Sequence, residues 1–345
     1  ARQTGLLLAA FVATLVLLAG GWALLGRDAP ARPSGGAVAS LPFASQSPAS
    51  QPLPSDAPPT APAPPTPPPP GSSDKPQSIV LTGAGDIADC RLEGAARTSD
   101  ILVRETGWIF TAGDNAYDDG SAADFRNCYG PTWGRVLDRT ILPAPGNHDW
   151  NTNGAAGYRD YFGAAAAPAS PPADATWYSR DIGAWHVIVL DSDCAKVGGC
   201  GPDSDQGRWL AADLAASDAR CTLAIWHHPR FSSGQHGDDE AVAPFWEMLH
   251  AEGAELVING HDHDYERFAP QDPSGREERP GGLRQIVVGT GGADLRGFRR
   301  AARNSEFRLA GTWGVLRLTL RPANYEWEFL PTDGNISDSG STPCH

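Results

Sequence analysis

From Ser78 onward one unit recurs: a short run of apolar and β-branched residues, then a turn that carries Asp, Asn or His and usually a glycine. The runs are Ile79 to Thr82 before Gly85-Asp86, Trp108 to Ala112 before Gly113-Asp114, and Thr140 to Leu142 before Gly146-Asn147-His148. Further on come Trp185 to Leu190, Thr222 to Trp226 before His227-His228, Glu255 to Ile258 before Gly260-His261, and Gln285 to Val288 before Gly289. Unbroken apolar runs of this length mark strands covered on both faces. Between them lie the helical candidates Leu92 to Thr106, Ala122 to Leu137, Ser204 to Ser217 and Glu240 to Glu252; in the third, Trp209, Leu210 and Leu214 share an apolar face. Such alternation predicts an α/β domain. Trp313 to Arg321 and Tyr325 to Leu330 instead alternate apolar and polar residues with no helix between them, which predicts an antiparallel hairpin at a sheet edge. Two packed sheets flanked by helices accommodate both patterns.

Composition changes sharply before the pattern begins. Residues 5 to 26, GLLLAAFVATLVLLAGGWALLG, are uncharged and largely apolar, and as a helix they are long enough to cross a hydrocarbon core of about 30 Å. The expectation for residues 1–26 is an N-terminal transmembrane anchor, or a signal segment removed by cleavage. Residues 27–77 are rich in Pro, Ala and Ser and end near PAPPTPPPPG, a composition that predicts a disordered, extended linker. Residues 78–345 remain, roughly 270 residues, enough for one large domain. An export segment implies an extracytoplasmic domain. All six cysteines fall in that domain, an even number that suits disulfides and permits fifteen pairings in principle. Cys194 and Cys200 share the loop DCAKVGGCG and are expected to pair locally, with Cys90 then joined to Cys128 and Cys221 to Cys344. The formal charge of −14 argues against a nucleic-acid-binding surface.

Open α/β sheets bind ligands at the carboxyl ends of their strands, so the residues in these turns converge. They are Asp86, Asp114, Tyr117, Asn147, His148, His227, His228, His236, His261 and His263. Carboxylate, amide and phenol oxygens are hard donors and imidazole is borderline, a mixture that suits iron, zinc or manganese. Two ions fit the number of donors better than one, and a pair about 3.5 to 4 Å apart activates water and clamps both oxygens of a phosphoryl displacement. Asp114, in GDNAYDDG, is expected to lie between them.

GDIAD, GDNAY, GNHD, the His227 turn and GHDH, in that order, resemble the signature of the calcineurin-like metallophosphoesterases, and GDxxY is most similar to the purple acid phosphatases. The resemblance implies a four-layer α/β/β/α sandwich of two mixed β-sheets, with the metal site at the C-terminal ends of the strands. It implies Asp86, Asp114, Tyr117 and His263 at a first metal, and Asp114, Asn147, His227 and His261 at a second. Many metallophosphoesterases carry a histidine two residues after the first aspartate; here that position is Ala88, and Tyr117 takes its place. The implied ions are Fe(III) with Fe(II), Zn(II) or Mn(II). The implied activity is hydrolysis of a small phosphorylated substrate, a phosphate monoester, by in-line attack of a metal-bound hydroxide. A phosphodiesterase, or a nucleotide- or lipid-directed phosphoesterase on the same fold, is the alternative. A wall-associated binding module with a decayed site belongs to a different class, which metal analysis separates.

His148 resembles the family's catalytic histidine and His236 a second histidine that protonates the leaving oxygen; imidazole titrates near neutrality and suits such work. Asp149 is placed to orient His148. Adjacent side chains on a strand point to opposite faces, so His227 is expected at the metals and His228 in a supporting role. Gly289 to Gly292, GTGG, reads as a simple turn. The loops at 118 to 130, 150 to 176, 193 to 205 and 232 to 240 are expected to wall the pocket.

Overall fold

Strands β1 (Ile79–Ala84), β2 (Trp108–Ala112) and β3 (Thr140–Ala144) run parallel, side by side, in the computed structural model, which describes residues 78–166, 174–334 and 338–345. The expected anchor and linker lie outside the described residues. No described helix supports a membrane anchor: the longest has 12 residues, about 18 Å of helix, where a span needs about 30 Å.

The second sheet contains β4 (Tyr178–Ile182), β5 (Trp185–Val189), β6 (Cys221–Ile225), β7 (Leu256–Asn259), β8 (Tyr265–Phe268), β9 (Arg284–Val288) and β10 (Ser305–Leu309). Its spatial order is β10-β8-β9-β7-β6-β5-β4, with β5, β6, β7 and β9 parallel and the other three antiparallel to their neighbours. In the first sheet, β11 (Gly314–Arg321), β12 (Asn324–Pro331) and β13 (Ser339–Pro343) extend β1 antiparallel, giving the order β13-β12-β11-β1-β2-β3. Both sheets are therefore mixed.

The period of two decides the layers. Val187, Val189, Leu223, Ile225, Ile258 and Ile286 face the cluster that includes Leu81, Leu142 and Leu318 of the first sheet. Their neighbours Ile188, Ala224, Trp226, Val257 and Val287 face outward, onto helices α4 (Asp205–Ala216) and α5 (Ala243–Ala251) through Leu210, Phe245, Trp246 and Leu249. Each Val, Leu, Ile or Phe among them, fully buried, contributes about 1.5–3 kcal/mol of transfer free energy. Helix α1 (Gly94–Arg104) covers the first sheet, completing the α/β/β/α order.

The strand expectations hold to within two residues, and the helices between them are more broken than expected. Ala122 to Leu137 is not one helix. A capping box at Ser121 and Asp124 starts α2 (Ala122–Asp124), a π-type turn follows over Phe125–Tyr129, and Gly130-Pro131 separates it from a 3-10 stretch, Trp133–Arg139. Glu240–Val242 is likewise 3-10, and Pro244 sits in the first turn of α5. Helix α3 (Ala156–Phe162) carried no clear periodic signal. The hairpin β11–β12 is not an edge, because β13 pairs with β12; the Ser-Gly-Ser-Thr-Pro sequence of β13 shows no apolar alternation.

All three expected disulfides form: Cys90–Cys128, Cys194–Cys200 and Cys221–Cys344. The last joins the start of β6 in one sheet to the residue after β13 in the other. It closes 123 residues of chain, worth about 4–5 kcal/mol in the chain-entropy account.

Candidate metal centre

The turns after β1, β2 and β3 and those after β6 and β7 meet at one end of the sandwich. Asp86, Asp114 and His261 there hold φ of 57°, 51° and 71°, a left-handed conformation that costs roughly 1–3 kcal/mol at a non-glycine residue and concentrates at functional sites. Backbone donors fix the result. The His261 N–H donates to Asp86 Oδ2 at 2.7 Å and the His148 N–H donates to Asp114 Oδ1 at 2.8 Å. Each carboxylate thus has one oxygen held and the other turned inward. Asp86 Oδ1 lies 2.9 Å from the Tyr117 hydroxyl and 3.3 Å from His263 Nε2. Asp114 Oδ2 lies 3.1 Å from the same hydroxyl, 3.2 Å from His227 Nε2 and 3.9 Å from His148 Nε2.

Carbonyl oxygens set the imidazoles. His227 Nδ1 donates to Ala112 O at 2.8 Å, His263 Nδ1 to Asp294 O at 2.6 Å and His148 Nδ1 to Asp118 O at 2.5 Å. An accepting carbonyl puts the proton on Nδ1, which leaves each Nε2 free to face inward as a donor atom for a cation. His261 Nδ1 lies 3.3 Å from His227 Nε2. The Asn147 side-chain carbonyl is buried with no hydrogen-bond partner, an omission that costs about 1–3 kcal/mol unless something else occupies the oxygen.

The charges ask for a cation. Burial disfavours an imidazolium at His227, yet the Asp114 carboxylate overrides it and raises the group to about 10. Burial opposes ionisation of Asp114, but His227 and His148 hold its carboxyl far below the usual range. Tyr117 is pushed well above an ordinary phenol by burial, then by Asp114 and Asp86. Such a phenol ionises only where a cation displaces its proton. Inward oxygens, inward Nε2 atoms and an orphaned amide oxygen fit metal ions. Among the described residues, Asp86, Asp114 and His227 also group as a potential metal-holding set.

The turns that carry the seven candidate metal residues and His148 lie together, and the Tyr117 hydroxyl stands between Asp86 Oδ1 and Asp114 Oδ2. Other expectations are corrected. Asp149 does not touch the His148 ring: it accepts from Gly146 N at 2.9 Å and from Asn115 Nδ2 at 2.9 Å, locking the β2 and β3 turns together. Burial raises it to about 7. The opposite-face rule does not apply to His227 and His228, because β6 ends at Ile225; their rings are 5.0 Å apart, and His228 sits 4.3 Å from the His261 ring with its Nδ1 2.8 Å from Ser192 Oγ. His236 does reach the rim, 4.2 Å from the His261 ring. Its Nε2 lies 2.6 Å from Arg296 Nη1, which can only donate, so any proton on the neutral ring is on Nδ1.

GTGG is a turn, as expected, with Gly291 N donating to Gly85 O. Loops 150 to 176 and 193 to 205 contribute Trp150, Arg159, Asp174 and Lys196 to a cavity of about 920 Å³ that begins two residues beyond His148. Loop 118 to 130 reaches the site at its start, where Asp118 O accepts from His148, and is tied back further on through Cys128. The sequence reading missed Asp294 and Arg296 altogether, since a backbone carbonyl leaves no mark in a sequence and Arg296 lies in an irregular segment.

The two-sheet sandwich brings this donor set together at its strand ends. The model of the calcineurin-like phosphoesterases matches residues 84–265, just over half of the chain, and the chain belongs to that family. Among curated proteins it is 27% identical to purple acid phosphatase 21 of Arabidopsis thaliana over 271 residues, 71% of this chain and 58% of that protein. It is 29% identical to acid phosphatase A of Cryphonectria parasitica over 206 residues, 51% of this chain and 40% of that one. The chain thus spans 58% of the length of the first of these relatives and 40% of the second. Among solved structures, purple acid phosphatase PPD1 of yellow lupin superposes with a TM-score of 0.62 at 17% identity, covering 77% of this chain and 53% of that one. GAP50, the anchor in the inner membrane complex of Plasmodium, gives 0.60 at 15% identity, covering 78% and 89%. These likenesses establish the fold.

Proposed function

We propose that the chain is a binuclear-metal phosphoesterase that hydrolyses phosphate monoesters. One observation carries the reading: Asp114 Oδ2 lies between the Tyr117 hydroxyl at 3.1 Å and His227 Nε2 at 3.2 Å, the place of a carboxylate shared by two ions. Asp86, Asp114, Tyr117 and His263 would hold the first ion, and Asp114, Asn147, His227 and His261 the second. Bound there, the pair would supply Lewis acidity and an acidified water. The donor set and the Tyr117 phenol favour Fe(III) with Fe(II), Zn(II) or Mn(II).

The protein's own part is positioning and proton control. His148, with Nδ1 committed to Asp118 O and its side chain one-third exposed, presents Nε2 to an incoming phosphate oxygen or leaving group. His236 offers its Nδ1–H on the neighbouring rim as a second hydrogen-bond donor while Arg296 holds Nε2; the general-acid role expected of it would require Arg296 to release Nε2. The partner is a small phosphorylated molecule. Three disulfides support an extracytoplasmic location. Attachment to a membrane rests on residues 5–26 alone.

The test is metal content measured alongside rates on an aryl phosphate and its diester. Two equivalents of metal and faster monoester turnover are expected. Metal-free protein active on either ester would overturn the reading; a faster diester rate would move it to a phosphodiesterase.

A further inference from the structure

Behind the His236 loop lies a cavity of about 510 Å³, walled by Ser232, Ser233 and Gly234 on one side and by Arg299, Arg300 and Arg303 on the other. Only one loop separates it from the metal centre. Asp262, between His261 and His263, accepts from the His236 N–H at 2.8 Å and from the Ser232 hydroxyl. Ser233 O accepts from Arg299 N at 2.9 Å and Ser233 Oγ from Ala302 N at 2.7 Å. The other end of the arginine segment is fixed to the same centre: Arg296 N donates to His263 O at 2.9 Å, and its guanidinium donates to His236.

The charge here runs against the rest of the molecule. A chain of net charge −14 places four arginines in residues 296–303. Arg296 has Asp294 as a partner at 3.2 Å. Arg299, Arg300 and Arg303 are exposed and have no carboxylate partner among the described residues, whereas Arg267, Arg284 and Arg317 are each tied to glutamate or aspartate. Asp238 is the sole acid lining the cavity, and its Oδ1 accepts from the Ser232 N–H at 2.8 Å. Three unpaired guanidiniums around one space repel one another until an anion enters, and their planar forks match phosphate oxygens.

We propose that this cavity is a second anion subsite, which receives a further phosphate group of a substrate whose reacting phosphate lies at the metal centre. The substrate class is then multiply phosphorylated, a polyphosphate or an ester bearing more than one phosphate. This rests on the phosphoesterase reading and specifies its substrate.

Equilibrium binding of inorganic tripolyphosphate and of orthophosphate to metal-loaded protein tests it, with released orthophosphate assayed alongside so that any hydrolysis is subtracted. The native chain should bind tripolyphosphate at least ten-fold more tightly than orthophosphate. Arg299→Ala/Arg300→Ala/Arg303→Ala should lose at least ten-fold for tripolyphosphate and less than three-fold for orthophosphate; Arg296 is kept because it holds His236. Arg300→Glu, a single exposed change, should weaken tripolyphosphate in the same sense. Removal of metal by tripolyphosphate would be equal in all three proteins, so the difference between them is the readout. Undiminished tripolyphosphate binding in the arginine variants overturns the subsite. Arginine-dependent binding in a protein that hydrolyses no ester supports the subsite and overturns the phosphoesterase reading.

Discussion

The turns after β1, β2 and β3 supply carboxylate, phenol and amide oxygens, whereas those after β6 and β7 supply imidazoles. Neither sheet holds a complete site. The first gives negative charge held by short loops, and the second gives imidazoles, of which His227 and His263 have Nδ1 committed to carbonyl oxygens. Cross-sheet bonds join the two sets: His227 donates to Ala112 O at the end of β2, and the His261 N–H donates to Asp86. The metal centre is therefore a property of how the sheets pack.

Substitutions on each side and at the seam can break that comparison. Asp114→Asn removes the charge shared by both ions, and a loss of roughly a thousand-fold or more in aryl phosphate turnover is expected, with both metals gone. Loss of one metal only, by elemental analysis, would show that Asp114 belongs to one side. Gly113→Ala attacks the seam itself. At φ 87°, a methyl group there would lie 2.5 Å from His227 Nδ1, so about 2–5 kcal/mol of destabilisation and weaker metal retention are expected from chemical denaturation and metal analysis. His148→Ala should keep both metals yet lower kcat by about 100-fold, the usual worth of a positioned proton donor; a parallel loss of metal would make His148 a ligand.

Tyr117→Phe is a smaller and sharper probe of the oxygen side. It should cost less than about ten-fold in rate while abolishing the visible absorption that tyrosinate on ferric iron would give. A colourless native protein with zinc or manganese would remove Tyr117 from the iron argument and leave the hydrolase. The smallest effect lies far from the site. His186 is bonded to Asp213 and Asp181 at 2.8 Å each; burial lowers its pKa, but these carboxylates outweigh that and raise it. A raised histidine stabilises the fold fully below its unfolded pKa near 6.5, and that stability is lost as pH rises through the higher folded value. Since Asp181 is largely exposed, about 1 kcal/mol or less is expected as the pH-dependent difference between native and His186→Gln urea midpoints.

How much was legible follows from where the information lies. The strands buried on both faces were readable because that burial imposes unbroken apolar runs, and the candidate ligand residues were readable because the turns after such runs carry them. Strands β4, β8, β10 and β13 and helix α3 were not, since none carries an unbroken apolar run or a clear apolar period of its own. The break after Tyr129 is marked in the sequence by Gly130-Pro131, since proline cannot continue a helix.

The glycines show the limit best. Gly113 and Gly260 read as turn punctuation, which they are, but their larger role is close approach. A Cβ on Gly260 would lie 2.5 Å from Asp86 Oδ2 and 2.8 Å from Ala112 O, so only a bare backbone lets the two sheets' ends meet. By itself the sequence determined the residue types, their order and the strands that carry them, because those depend on local periodicity. Only the tertiary structure decided which oxygen of each carboxylate faces inward, that Asp149 locks two turns instead of steering His148, and that unpaired arginines gather behind His236. Those facts depend on backbone carbonyls, amides and loops brought together from distant parts of the chain, and such contacts leave no pattern in it.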